Sequence, residues 1–218
     1  MRIWCGVPGL VVLIVAAAAA AVAGLDRLLA AIAVRRIAAR VTALTGADRR
    51  PVVRFAGAAF LPQLVTGTYS EIEVIVPACS IGGIEFCALF ACLSLVRAPL
   101  RLLLRGRGLV AGQVSARATI PFAAIAGRLP AGLAVRRHGA ELRVCGSVLR
   151  LPVSGTLAVT ADGQRISVVP RVLGVPSMVG FVLALPGLPR ELTIDLVRVT
   201  DAGLDISMRG DEVKLTPR

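Results

Sequence analysis

Glu71 and Glu73 stand two residues apart in the alternating stretch Tyr69-Ser70-Glu71-Ile72-Glu73-Val74-Ile75-Val76. At that spacing both carboxylates fall on one face of a strand, and such a pair could divide the work of a general acid and a general base. Two solvent-facing strand carboxylates account for the same residues more plainly. His138 is the sole histidine, set in a basic turn after Arg136 and Arg137. A serine–histidine pair would have to use it, but an exposed turn histidine needs no such role. Cys79, Cys87, Cys92 and Cys145 form an even set apart from Cys5. There is no C-x-x-C, and one histidine cannot complete a usual zinc site, so no metal is expected. Outside the cytoplasm one or two disulfides could form. A hairpin about Gly82-Gly83 would set Cys79 roughly opposite Cys87. Buried free thiols acting as small apolar side chains are the preferred reading.

No P-loop, HExxH or GxSxG elbow occurs. Gly106-Arg107-Gly108-Leu109-Val110-Ala111 superficially matches a dinucleotide fingerprint. It follows a helical pattern and leads into a strand, the reverse of what that motif requires. The sequence therefore points away from an enzyme, and no catalytic residue or cofactor is expected.

Charge is the next candidate for function. The net charge is +12, and Lys214 is the only lysine. Between Phe86 and Ala140 there is no acid, while Arg97, Arg101, Arg105, Arg107, Arg117, Arg128, Arg136 and Arg137 accumulate. Such a run attracts anionic membranes, nucleic acid or acidic glycans, or is simply a solvated face. Aromatics are only 4% of the chain, too few for the stacking platforms of a single-strand binder.

The elements that would position these groups can be read from periodicity. Residues 1–24 are a signal peptide or membrane anchor. The run from Val7 to Leu25 is just long enough to span a bilayer as a helix, and Ala21-Val22-Ala23 resembles a signal-peptidase site. Arg27, Arg35, Arg36 and Arg40 follow the segment, which by charge counting would hold the next part inside. A long domain translocates largely regardless of charge, so export is expected. Residues 25–218 form the domain. Leu25, Leu28, Leu29, Ile32, Ile37, Val41 and Leu44 follow helical spacing up to a stop at Gly46.

A strand over Pro51–Ala56 then leads to an apolar corner, Phe60-Leu61-Pro62-Gln63-Leu64, and to a strand from Tyr69 with Ser70, Ile72, Val74 and Val76 on one side. Ile84–Val96 reads as one long strand, apolar on both faces, and Pro99–Arg105 as a short helix. Val110–Ile120 alternates, with Val110, Gly112, Val114, Ala116, Ala118 and Ile120 facing in. Pro121 starts a short helix through Leu129. Further strands are expected at Leu133–Arg137, Glu141–Val144, Val153–Thr160 and Arg165–Val169. A short helix over Val175–Leu185 follows, then a hairpin of Leu192–Val199 with Leu204–Arg209. The class is α+β: a long amphipathic helix packed on a curved antiparallel sheet.

Hydrophobic residues make up 56% of the chain and charged residues 17%, against about 25% charged in an average protein. A domain this apolar needs an internal cavity or an interface to hold the surplus. The two-faced strand at Ile84–Val96 points to a cavity between it and the long helix, with Phe86 and Phe90 on one wall and Ile32 and Ile37 on the other.

Pro51-Val52-Val53-Arg54-Phe55-Ala56-Gly57 leads into Phe60-Leu61-Pro62-Gln63-Leu64, then Gly67 and Tyr69. Further on come Thr119-Ile120-Pro121-Phe122, Leu185-Pro186-Gly187-Leu188-Pro189, Asp201-Ala202-Gly203-Leu204 and Asp211-Glu212-Val213-Lys214-Leu215. Over nearly its whole length this pattern resembles the LmeA-like phospholipid-binding proteins of actinobacterial cell envelopes. The resemblance implies a fold similar to the tubular lipid-binding domains of the BPI type, with acyl chains between helix and curved sheet. It also implies a non-catalytic protein that holds or transfers lipid on the outer face of the cytoplasmic membrane. The partner would be an anionic phospholipid, with no nucleic acid. On this reading the lipid-contacting residues are Ile32, Ile37, Phe55, Phe60, Leu61, Leu64, Phe86, Phe90, Phe122 and Phe181, and the head-group residues are Arg54, Arg97, Arg101 and Arg105. The alternatives left open are an arginine-rich binder of nucleic acid or acidic glycan, and an envelope hydrolase or transferase.

If the positive charge is used on membranes, a chain lacking residues 1–24 should bind anionic vesicles in low salt and leave them in high salt, because exposed charges are screened. Vesicle co-sedimentation checks this; equal binding to neutral vesicles would contradict it.

Overall fold

The structure is a computed structural model of the 218-residue chain. It describes residues 6–47, 49–57, 59–81, 83–99, 109–129, 131–139, 141–148, 151–171, 181–184 and 189–215. The expected helix over Pro99–Arg105, with Arg101 and Arg105, falls outside these residues from 100 onward.

The alanine-rich start and the amphipathic stretch expected after it are one unbroken helix, α1, Gly6–Thr45. No proline lies between Leu10 and Thr45, and alanine is the best helix former. The two halves have different surroundings. Leu10, Val12, Ile14 and Val22 are all more than half exposed. From Leu29 the helix packs, with Ala33 and Ala38 each only 2% exposed and Ala30, Val34, Ile37 and Val41 half-buried. This stripe keeps the helical period but not the expected residues. Leu25, Leu28 and Ile32 face outward, because the body approaches α1 most closely where the side chains are alanines. Gly46, at φ +58°, ends the helix and donates to the Thr42 carbonyl at 2.9 Å.

A six-stranded antiparallel sheet forms the body. Its spatial order is β1 (Val52–Ala56), β2 (Thr68–Val76), β5 (Ala88–Arg97), β6 (Leu109–Ile120), β13 (Leu204–Leu215) and β12 (Thr193–Val199). A second sheet of five strands follows the order β11 (Phe181–Ala184), β10 (Arg165–Arg171), β9 (Leu151–Asp162), β8 (Glu141–Val148) and β7 (Leu133–His138). A small hairpin pairs β3 (Cys79–Ile81) with β4 (Ile84–Phe86). Of two short helices, α2 (Phe60–Thr66) joins β1 to β2, and α3 (Phe122–Ala126) joins β6 to β7 and packs on β7. The single sheet expected from the sequence is thus two sheets and a hairpin. Phe181–Ala184 is a strand paired with β10 rather than part of a helix; the preceding residues from 175 lie outside the description.

The strand expected at Ile84–Val96 is broken at Cys87, which donates its N–H to the Thr119 carbonyl at 2.9 Å. Ile84–Phe86 belongs to the hairpin and Ala88–Arg97 to the main sheet. In β5 the residues level with buried Val114, Ala116 and Ala118 of β6 are Leu93, Ala91 and Leu89; Phe90 lies on the other face, 49% exposed. Leu95 takes a left-handed φ of +53°. Beyond it the inward phase changes on three neighbouring strands at once: Val96, Tyr69 and Ala111 are each 0% exposed. Tyr69 therefore faces the core, against the simple alternation expected for β2, and Ala111 replaces Val110 and Gly112 as the inward residue of β6. Irregularities of this kind bend a sheet. A further left-handed residue, Glu212 at φ +49°, and a register shift between Ile194 and Leu196 lie in the partner strands β13 and β12.

α1 lies against β1, α2 and β3 and so covers one edge of the main sheet. At the far end of that sheet, the β12–β13 turn closes on Gly203. Its φ is +150°, and a Cβ there would fall 2.0 Å from the Ile120 carbonyl oxygen. Gly203→Ala should cost about 2 kcal/mol or more through backbone strain and displacement of the neighbouring strand. Urea denaturation of the two proteins measures it; an unchanged midpoint would mean the turn relaxes freely.

Candidate lipid-binding site

The corner at Phe60-Leu61-Pro62-Gln63-Leu64 is built by α2. Proline is tolerated in the first turn of a helix, and Gly67 at φ +66° caps the C-terminus and accepts the Ala98 N–H at 2.8 Å. The Asp26 carboxylate of α1 accepts the Leu61 N–H at 2.5 Å, satisfying one of the open donors of the short helix. The Gln63 amide donates to the carbonyls of Ala59 at 3.1 Å and Ala56 at 3.4 Å, and its oxygen accepts the Ser70 N–H at 3.3 Å. One side chain thus ties the end of β1 to the start of β2. A Cβ at Gly57 would stand 2.1 Å from that amide nitrogen, so the glycine makes room for it.

Beneath α2, Phe55 and Phe60 meet edge to face with centroids 5.1 Å apart, and Tyr69 lies 5.9 Å from each. Phe60 is buried; Phe55, Leu61, Leu64 and Ile37 are half-buried. The Tyr69 hydroxyl is buried with no hydrogen-bond partner among the described residues, and burial pushes its pKa up.

The other expected site residues are dispersed. Ile32 is 41% exposed on the outer side of α1, and Phe90 is on the sheet face opposite Leu89, Ala91 and Leu93. Phe86 is buried in the small hairpin, level with Cys79. Phe122 is half-buried in α3, and Phe181 pairs with Val168 in the second sheet. The wall expected from Phe86, Phe90, Ile32 and Ile37 is therefore not assembled. Arg54 and Arg97 are exposed, paired in register with Glu73 and Thr68.

Nor does the acid-free run of sequence make an acid-free surface. Arg117 of β6 shares its sheet face with Glu71 and Glu73 of β2 and with Asp205 of β13, because strands from acid-bearing stretches flank it. On that face Thr119 donates to Asp205 at 2.6 Å and the Cys92 thiol donates to Glu71 at 2.7 Å. Burial first, then Glu71, pushes the Cys92 pKa up, which makes the thiol a poor nucleophile. Cys79 is buried and Cys87 exposed, and all four described cysteines are free. His138 is exposed at the end of β7, level with Glu141.

A groove of about 540 Å³ opens where β12 passes β9, within the range of roughly 300–1,000 Å³ for small-molecule sites. Leu142 and Leu157 are buried beneath it, and Val159, Val197 and Val199 are half-buried along it. Arg137, Arg198 and Glu141 stand exposed at its rim. Arg137 also bonds Asp201 of the β12–β13 turn, which links the second sheet to the first. None of the residues expected to touch lipid lines this groove. Its residues fall on stretches whose local pattern predicts strands; that β12 of one sheet passes β9 of the other is a non-local fact with no short-range signal.

The groove thus has an apolar floor, threonines Thr156 and Thr160 in its lining, and charges of both signs at its rim. A family model described as LmeA-like phospholipid-binding matches residues 24–209. The chain belongs to that family. The match begins where the bare half of α1 ends and takes in both sheets. No curated protein and no solved structure matches the chain. Membership in the LmeA-like family supports lipid binding, and the α+β architecture of one long helix with large antiparallel sheets agrees with it.

The aromatic corner is structural whatever its share in lipid contact. Phe60→Ala should lower stability by about 3–5 kcal/mol, read from thermal or urea unfolding. Leu64→Asp should destabilise the chain as well, since a carboxylate gains no partner there. Native-like melting of both variants would show that the corner does not hold the fold.

Proposed function

We propose that the chain is an extracytoplasmic, non-catalytic phospholipid-binding protein that holds or transfers lipid at the cell envelope. The first half of α1 serves as its membrane segment. The observation that carries this reading is the groove between β9 and β12, joined to the family match. Burying acyl methylenes is worth roughly 0.8 kcal/mol each, so an apolar groove suffices for binding without covalent chemistry. Arg198 at the rim is placed to give charge-assisted hydrogen bonds to phosphate, and Arg137 could join it by exchanging its bond to Asp201, which favours an anionic head group. The membrane segment is supported by an eighteen-residue window of mean hydropathy 2.3 in α1, none of it buried.

Native mass spectrometry of the full chain, with and without Val197→Trp, tests the proposal. Val197 is half-buried along the groove, and added volume is tolerated in a cavity but not in a packed core. The parent should carry phospholipid. The variant should carry several-fold less, while melting within a few degrees of the parent. A lipid-free parent that shifts labelled DNA would overturn the assignment. Full lipid occupancy in the variant would move the ligand out of this groove.

A further inference from the structure

Along α1 the body begins at one residue. Leu25 is 49% exposed, Asp26 is half-buried, and Ala33 is 2% exposed. The group that Asp26 holds is the Leu61 N–H of α2. The other end of α1 is near β3, where Gly46 approaches the Ser80 carbonyl. α2 is therefore the element that meets α1 next to its bare apolar half. Gly6 to Leu25 rises roughly 30 Å as a helix, the thickness of a bilayer core. If that stretch crosses the membrane, Asp26 falls at the boundary and α2 falls with it.

The outward side of α2 fits that position. The helix contains no charged residue. Pro62 is exposed, and Val65 is 86% exposed, the most of any large hydrophobic residue described. Leu28, one turn into the body on α1, is 58% exposed. A chain of net charge +12 thus presents an uncharged, apolar helix face beside its membrane segment. Exposed Arg27 follows Asp26 on α1, and an arginine at such a boundary can reach lipid phosphates with its stem along apolar surface.

We propose that α2 is a docking foot: its Pro62–Val65 face rests in the head-group layer of the same bilayer that α1 enters. The partner is the phospholipid surface itself. This rests on the reading of α1 as a retained membrane segment, but not on the groove. Because the Asp26–Leu61 bond fixes α2 to α1, docking holds the body in one orientation.

The test uses the full chain in proteoliposomes. Trp4 is the only tryptophan, so Trp4→Phe gives a silent background for Val65→Trp. A control carries Val182→Trp, 58% exposed in the second sheet. Lipids brominated near the head group should quench Trp at 65 by about two-fold or more and leave Trp at 182 unquenched, as expected of an interfacial residue. Vesicle flotation in high salt, which releases a body held by charge alone, separates the two readings. A chain that floats while both positions stay unquenched overturns the docking foot and keeps the membrane segment. A chain that does not float overturns both.

Discussion

The ladders on either side of β6 hold the structure together. β5 precedes this strand closely, but β13 arrives some ninety residues later and pairs with it from Leu204↔Ile120 to Leu215↔Leu109. The whole second sheet lies between those partners in sequence. Closing so long an excursion costs entropy that only the completed ladder repays. The close approach of Gly203 to the Ile120 carbonyl marks the end of that ladder. The passage of β12 against β9, and hence the groove, exists only because β13 brings β12 back.

Strands whose environment is uniform were legible in the sequence. In β6, Val114, Ala116, Ala118 and Ile120 face in, and Gln113, Ser115 and Arg117 face out, as alternation dictates. The helix stop at Gly46 and the class α+β were legible for the same local reasons. The misreadings share one cause, that burial is decided by distant partners. The paired break at Leu95 turned Tyr69 inward. The N–H bond from Cys87 to Thr119 cut a long apolar run into two strands. α1 met the body on alanines, whose own hydrophobicity draws little notice beside leucine.

The candidate site divides in the same way. Phe55, Phe60, Leu61 and Leu64 lie close in sequence, and one short helix packs them into the corner that local pattern indicates. Phe86, Phe90, Phe122 and Phe181 were chosen for residue type, and the topology scatters them. The groove escaped notice because its walls come from β8, β9 and β12, and nothing local to those strands says which sheet each will face. Arg117 shows the converse: β2 and β13 bring acids from distant stretches to the sheet face on which it stands.

α1 passes from its bare half into the body without a proline, a break or a linker. A flexible tether would let the body tumble; a continuous helix makes it a lever. Membrane-spanning helices lean by about 20° on average, and more as the bilayer thins. On a helix whose packed half runs roughly 30 Å further, that lean displaces the far end by roughly 10 Å. If the bare half of α1 crosses a bilayer, any lean it takes there is carried through the unbroken helix to the body, and with it the height of the groove above the surface.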